Sequence, residues 1–195
     1  VPMLSPSSTN RRVTEVGDAI FRVCFIDPFQ GSVMAKYAYD TLGARRVVVL
    51  HDVRNAYSMG LSEYFIETFG KLGGTIVTTR AYSSGDSNFK AQLIGLRRHQ
   101  PDLLYVPGFY TEGALIARQA RSLGMTMPLL GGDGWDSEAL PEIAGTAADG
   151  VYFSTHYFSD DPRPEVQRFV QSYKAKYGQL PDGLGALAYD AESRV

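Results

Sequence analysis

The sequence predicts an α/β fold with a doubly wound, mostly parallel sheet and helices on both faces. Two observations lead to this prediction: short runs of β-branched apolar residues alternate with amphipathic helical stretches, and the connections between them are short. Strands buried on both faces read as nearly continuous apolar runs, and strand–helix alternation is typical of βαβ units. The composition agrees, because 44% hydrophobic and 21% charged residues in a chain of 195 are ordinary for a globular protein.

Helices are predicted before, between and after five apolar runs that read as strands. The helix before the first strand covers about residues 31–41, and apolar residues at helical spacing predict helices after each of the first three strands. Breakers such as Gly73 and Pro101 end these stretches. A last helix extends from about Val166 to Tyr177. The predicted strands lie at residues 46–51, 75–79, 103–106, 129–130 and 151–155.

Charge and motif content argue against several classes of function. A net charge of -2 gives no electrostatic footprint for nucleic acid or anionic lipid, and no apolar run approaches the ~20 residues of a membrane span. The single cysteine, Cys24, excludes a disulfide framework and a cysteine-rich metal site. Walker, dinucleotide-binding, nucleophile-elbow and zinc-hydrolase motifs are all missing from the sequence. We therefore predict no enzyme, no cofactor and no metal.

The residues that follow the predicted strands are the candidate site, because ligands bind beyond the carboxyl ends of strands in open parallel sheets. Tyr57 follows the first strand, and Phe109 and Tyr110 follow the third. Asp133 and Trp135 lie in a glycine-rich segment after the fourth. Aromatic groups and one carboxylate at one edge predict a small, partly apolar pocket. Purely structural roles are the alternative: a helix cap, core packing, or a turn in which Asp and Gly are common.

The N-terminal stretch is a second candidate, since residues 5–10 are rich in hydroxyl groups and include Ser7 and Thr9. Hydroxyls and backbone N–H groups at the start of a helix suit a carboxylate or another anion. A serine-rich turn that only caps a helix is the alternative.

The two ends of the sequence predict the domain organisation. Residues 1–18 read as a strand end with its polar turn, and residues 183–195 as part of a helix. We expect neither to have a partner within this chain. The sequence begins with Val1 and has no signal segment, so we expect an excerpt of a longer protein. In this organisation residues 19–182 form the second of two lobes, and both ends belong to a first lobe that is mostly absent.

An ordered series of short motifs runs along essentially the whole chain. The motifs are MLSPSSTN (3–10), FRV (21–23), QG (30–31), VLHD (49–52) with Tyr57, RQAR (118–121), LGGDGW (130–135) and GVYF (150–153). With this order and spacing, the chain resembles the type I periplasmic solute-binding proteins of the leucine/isoleucine/valine group. These are the receptors of branched-chain amino-acid ABC transporters.

The resemblance implies a receptor that is exported to the periplasm or cell surface and delivers an amino acid to a membrane permease. Two α/β lobes would close on the ligand around a hinge. The resemblance also implies that Ser7 and Thr9 hold the ligand carboxylate and that Asp133 pairs with its ammonium group. Both charges need such partners, because a zwitterion is costly to desolvate.

The aromatic residues carry further implications of the resemblance. Tyr57 corresponds to a tyrosine that lines the same site. Phe109 stands where the leucine-type receptors carry a tyrosine, and Tyr110 beside it is a substitute for the missing hydroxyl. Trp135 adds apolar bulk that suits a branched or aromatic side chain. The alternatives are a ligand-sensing ectodomain of a signalling receptor and a relative specific for amides or aromatic acids.

Overall fold

The computed structural model describes residues 1–193, and the chain divides into two units. The first unit combines residues 1–26 with the residues from Thr155 onward, and the second unit is the segment Asp27–Ser154. The strands are β1 (Met3–Ser5) and β2 (Ile20–Arg22) in the first unit, and β3 (Arg46–Asp52), β4 (Thr75–Tyr82), β5 (Leu103–Tyr105), β6 (Leu129–Leu130) and β7 (Val151–Tyr152) in the second.

Helices follow most of these strands. In the second unit they are α1 (Asp27–Lys36), α2 (Ala56–Lys71), α3 (Lys90–Arg97), α4 (Tyr110–Ser122) and α5 (Ala139–Ala144). In the first unit they are α6 (Pro164–Tyr177) and α7 (Gly183–Glu192). Short irregular helical turns add Arg11–Glu15, Tyr37–Thr41, Asp133–Trp135 and Gly145–Ala148.

The sheet of the second unit is parallel throughout and has the strand order β4-β3-β5-β6-β7. The chain therefore moves outward from β3 to β4 and then turns back to add β5, β6 and β7 on the other side. The strand order reverses between β3 and β5, and crevices for ligands form at such switch points. The predicted α/β fold with a doubly wound, mostly parallel sheet is confirmed.

Alternating side chains of β3 explain why helices cover both faces of the sheet. Val47 and Val49 are buried in a cluster with α1 and α2, and Val48 and Leu50 are buried in a cluster with α3, α4 and α5. Successive residues of a strand point to opposite faces, so a continuous apolar run supplies both clusters. The nearly continuous apolar character seen in the sequence thus has a direct structural cause.

Gly31 lets α1 lie unusually close to α2. A Cβ atom at this position would be 2.7 Å from Tyr64 Cβ, 3.0 Å from the Phe65 amide nitrogen and 3.2 Å from the Leu61 carbonyl oxygen. Two of these three atoms belong to backbone and cannot move aside as a flexible side chain can. The close packing brings the first turn of α1 next to α2, and both helices contribute to the candidate site.

The ends of the chain have partners, so the expectation that they lack them within this chain is wrong. Strand β1 pairs in parallel with β2, with Met3 opposite Ile20 and Ser5 opposite Arg22. Helix α7 packs on α6, where the rings of Tyr189 and Phe169 lie 4.7 Å apart. Three-residue strands give too short a pattern to recognise, which explains the missed pairing. The predicted helical segment 183–195 also includes residues 194 and 195, which lie outside the described residues.

Element boundaries differ from prediction where local signals compete. Helix α1 begins at Asp27 rather than near residue 31, because Pro28 is tolerated in the first turn of a helix. Strand β7 ends at Tyr152, before the predicted residue 155. Helix α5 was not predicted, since its six residues are too few to establish a helical period.

Candidate functional site

The centre of the candidate site is the carboxylate of Asp133, which lies just beyond the end of β6. Tyr57 Oη donates a hydrogen bond to Asp133 Oδ1 over 2.6 Å, and Gln30 Nε2 donates to the same oxygen over 2.7 Å. The Gly134 amide donates to Tyr57 Oη over 3.1 Å and links the phenol to the turn that carries the carboxylate. Tyr57 and Gln30 are neutral donors, so their hydrogen bonds orient the negative charge and do not neutralise it.

Sheet topology brings Tyr57 and Asp133 together across 76 residues of sequence. Tyr57 stands in the first turn of α2, directly beyond β3, and Asp133 follows β6. Parallel strands end at the same edge of a sheet, so residues after β3 and β6 meet there. The cap of α2 is Asn55, whose Oδ1 accepts from the Tyr57 amide over 2.9 Å. The Tyr57 side chain is thereby left to reach Asp133.

Glycines around Asp133 allow its partners to approach. A Cβ atom at Gly132 would lie 2.4 Å from Tyr57 Oη and 2.7 Å from Gln30 Oε1. A Cβ atom at Gly134 would lie 2.5 Å from the Gly108 carbonyl oxygen. A side chain at Gly132 would therefore displace the groups that hold Asp133, and one at Gly134 would collide with the backbone before Phe109.

Gln30 is a site residue that the sequence interpretation missed. Its side chain is almost completely buried in α1, and its Oε1 also accepts from the Asp133 amide over 3.4 Å. The Gln-Gly pair at 30–31 contributed to the family resemblance but received no role. A buried amide needs hydrogen-bond partners, so a glutamine on an otherwise packed helix face was the available signal.

Phe109 forms an apolar wall beside the carboxylate. It precedes α4, is 46% exposed, and has its ring centroid 5.6 Å from that of Tyr57, with 30° between the planes. An exposed aromatic ring next to an oriented carboxylate combines an apolar surface with one charged contact. Small-molecule sites commonly have this character.

Tyr110 and Trp135 pack against the core on the α4 side of the sheet. Tyr110 is the first residue of α4 and is only partly buried. Trp135 is completely buried, and a Cβ atom at Gly113 or Gly131 would lie within 2.4 Å of its indole. The burial of Trp135 thus fits the alternative in which this residue packs in the core. It gives no support to the predicted contact between Trp135 and a ligand.

A buried serine ties together the two loops that carry the aromatic residues. Ser58 is completely buried beside Tyr57, and its Oγ donates a short hydrogen bond to the Pro107 carbonyl oxygen. The same Oγ accepts from the Asp52 amide over 2.9 Å. The end of β3, the start of α2 and the loop before Phe109 are therefore linked through one hydroxyl group.

The phenol of Tyr57 is held in its neutral form. Burial raises its pKa well above the ordinary value of about 10, and the nearby negative charge of Asp133 raises it further. Tyr105 and Tyr82 are also buried, and their pKa values are raised first by burial and then by nearby carboxylates. Tyr57 is consequently a hydrogen-bond donor at any physiological pH.

These three phenols predict a loss of stability in alkaline solution. Above about pH 10 the unfolded chain releases protons that the folded chain keeps, so the free energy of unfolding falls as the pH rises. With three such groups the fall approaches about 4 kcal/mol per pH unit. Urea unfolding between about pH 9 and pH 11 measures it. The Tyr105→Phe variant should lose about a third of the slope. A slope that Tyr105→Phe leaves unchanged would contradict the prediction.

Ser7 and Thr9 lie in the other unit from the rest of the predicted site. Thr9 is 4% exposed and Ser7 is partly buried. The Ser8 amide donates to Ser5 Oγ over 3.1 Å, and Asn10 Oδ1 accepts from the Arg12 amide, which caps the short helical turn 11–15. The structure brings together Tyr57, Phe109 and Asp133. The joint action of these residues with Ser7 and Thr9 on one ligand remains a prediction.

Residues 1–193 have neither a set of side chains suited to a metal ion nor a membrane-spanning helix. This part of the chain contains no group of three or more His, Cys, Asp or Glu side chains that could hold a metal ion. Its helices include none that is both long enough and apolar enough to cross a membrane.

Comparison with known proteins identifies the family. The family model described as periplasmic binding protein matches residues 1–192. This chain belongs to the periplasmic binding protein family. Its curated relatives include Leu/Ile/Val-binding protein homolog 3 of Brucella melitensis, 33% identical over 177 residues that cover 90% of this chain and 48% of the relative. The leucine-specific-binding protein of Salmonella typhimurium is 31% identical, with 89% of this chain and 47% of the relative covered.

Solved structures of binding proteins have the same fold. The leucine binding protein LivK of Thermotoga maritima has a TM-score of 0.92 and 49% identity, over 99% of this chain and 55% of that protein. The substrate binding protein LivJ of Streptococcus pneumoniae, solved in complex with isoleucine, has a TM-score of 0.90 and 34% identity, over 97% of this chain and 54% of that protein. The family resemblance seen in the sequence motifs is confirmed. The chain spans about half the length of these relatives.

Proposed function

We propose that this chain is part of an extracytoplasmic receptor that binds a branched-chain or related amino acid and delivers it to an ABC transporter. The observation that supports this most is the Asp133 carboxylate, oriented by Tyr57 and Gln30 beside the exposed Phe109 ring. A carboxylate that a phenol and an amide orient suits an ammonium group, and the adjacent ring suits an apolar side chain. No bond-making step is required for this role.

The ligand carboxylate is assigned to the first unit in this proposal. A zwitterion loses the hydration of both charges on binding, so each charge needs charge-assisted hydrogen bonds from the protein. Hydroxyl and backbone groups of Ser7 and Thr9 supply them for the carboxylate. The family match extends over residues 1–192 and therefore includes both positions.

The lobe organisation of the whole protein is also a proposal. Residues 19–182 are assigned to a second lobe, and residues 1–18 and 183–195 to a first lobe that further residues complete. Exposed apolar side chains in both end segments support this, because Met3 on β1 and Leu184 on α7 are each at least about half exposed. Parallel sheets normally have both faces covered. Closure of two such lobes around the ligand, export from the cytoplasm and docking on a permease belong to the same proposal.

An aromatic acid is the second candidate ligand. The neighbouring rings of Tyr57 and Phe109 offer an aromatic surface to a planar ring, and the residue at 109 lacks the hydroxyl that leucine-type receptors carry. A ligand-sensing role in a signalling receptor would use the same site. The protein would then transmit a signal on binding and would not deliver the ligand to a transporter.

A thermal-shift screen of the full-length protein tests the proposed function. Ligands that bind only the folded state raise the unfolding temperature, with about 2.7 kcal/mol of stabilisation at a hundred times the dissociation constant. Leucine, isoleucine or valine should stabilise the protein more than simple amides or aromatic acids do. Stabilisation by aromatic acids alone would favour the second candidate, and stabilisation by none of these compounds would contradict the proposal.

A further inference from the structure

One arginine holds the segment that contains Thr9. Arg22 ends β2, and its Nη1 donates to the Ser8 carbonyl oxygen over 2.8 Å and to the Asn10 carbonyl oxygen over 2.7 Å. Its Nη2 donates to the Arg11 carbonyl oxygen over 2.8 Å and to Thr14 Oγ1 over 2.7 Å. Four acceptors from one loop thus meet a single planar guanidinium group. A guanidinium is suited to this, because its N–H donors form a rigid fork.

Arg22 and its four acceptors form a clamp, and this clamp determines the direction of the Thr9 amide. In a trans peptide the C=O and N–H bonds point in opposite directions. Because the Ser8 carbonyl faces Arg22, the N–H of Thr9 faces away from Arg22. Within residues 1–193, neither this amide nor the Thr9 hydroxyl has a hydrogen-bond partner, although the residue is only 4% exposed. The hydroxyl oxygen itself keeps some contact with solvent, so both donors of Thr9 are available to a ligand.

The rest of the segment is anchored at its two ends. Ser5 pairs with Arg22 in the β1–β2 register and accepts from the Ser8 amide. Asn10 caps the helical turn that follows. Between these anchors, Arg22 donates to the Ser8 carbonyl oxygen, and this contact orients the peptide group between Ser8 and Thr9. The positive charge of Arg22 also lies behind the loop, where it favours an anion on the opposite side.

We propose that Arg22 is a positioning residue for the ligand carboxylate. It holds residues 7–9 so that the Thr9 amide and the hydroxyl groups of Ser7 and Thr9 are directed at one anionic group. This inference rests on the proposed function, since it takes the ligand to be an amino acid. Arg22 acts through the loop and does not contact the ligand.

Arg22→Lys in the full-length protein tests the inference. Lysine keeps the charge but cannot bridge four acceptors, so the dissociation constant for leucine should rise at least about tenfold. Isoamylamine, which is leucine without its carboxylate, should bind with an affinity changed less than about twofold. The matched control Arg12→Lys alters an exposed arginine of the same segment and should change neither affinity.

Two outcomes would overturn the inference alone. One is leucine affinity that Arg22→Lys leaves unchanged, and the other is an equal loss of affinity for both ligands, which indicates a general structural role. Amide hydrogen exchange supplies an independent readout: residues 7–14 should exchange faster in Arg22→Lys than in the wild-type protein, and unchanged exchange would contradict the clamp. A wild-type protein that does not bind leucine would overturn the proposed function together with this inference.

Discussion

Replacing Asp133 with Ala should weaken leucine binding to the full-length protein by about 3–5 kcal/mol, which is two to three orders of magnitude or more in the dissociation constant. The ammonium group of the ligand would remain desolvated and lose its charged partner, which costs far more than the loss of a surface ion pair. Tyr57 and Gln30 would also lose their common acceptor, so two further polar groups would need new partners. Isothermal titration calorimetry measures the change.

Two further variants separate charge from shape in this prediction. Asp133→Asn preserves the size of the side chain and removes its charge, so it should lose most of the affinity that Asp133→Ala loses. Asp40→Asn is the matched control, because it removes an exposed carboxylate from the same unit and should leave leucine binding unchanged. Normal leucine binding by both Asp133 variants would place the site elsewhere in the protein.

Replacing Trp135 with Ala should lower the free energy of unfolding by about 3–5 kcal/mol. The indole is completely buried between Gly113 and Gly131, and neither glycine has a side chain that can fill the resulting cavity. Trp135→Phe should cost less, because the smaller ring still fills part of the space. Urea unfolding followed by far-ultraviolet circular dichroism measures both variants without relying on tryptophan fluorescence.

Phe109→Ala is the matched control for Trp135, since both aromatic residues follow strands at the same edge of the sheet. Phe109 is 46% exposed, so its removal should change the stability by less than about 1 kcal/mol while reducing leucine affinity. We therefore expect Trp135→Ala to affect mainly the stability and Phe109→Ala to affect mainly the leucine affinity. A Trp135→Ala protein with near-normal stability and lost binding would contradict the packing role and restore the ligand contact that the sequence suggested.

The sequence predicts most of the sheet because the physical signal for buried parallel strands is local. Val47 to Leu50 are apolar and mostly β-branched without interruption, and a run this short and this rich in β-branched residues favours a buried strand over a helix. The relative positions of Tyr57 and Asp133 follow from the same pattern, since residues after parallel strands share one edge. Their meeting at one edge of the sheet was therefore predictable from the sequence.

The contacts that complete the site depend on long-range packing and have no local signature. Gln30 meets Asp133 across 103 residues, and only the close approach of α1 to α2 at Gly31 makes this possible. Trp135 follows the glycine segment as a ligand residue would, but its burial depends on Gly113 in α4. Arg22 similarly meets its four acceptors only because the loop before it in the sequence folds back over β2.

The central claim is that Asp133 binds a ligand ammonium group through charge. Calorimetric titration of leucine and of isocaproate, which is leucine without its ammonium group, tests this claim most directly on the wild-type and Asp133→Asn proteins. The wild-type protein should prefer leucine by at least about 100-fold, and Asp133→Asn should reduce that preference to less than about tenfold. A preference for leucine that the substitution leaves unchanged would contradict the claim, including the case in which both compounds lose affinity equally.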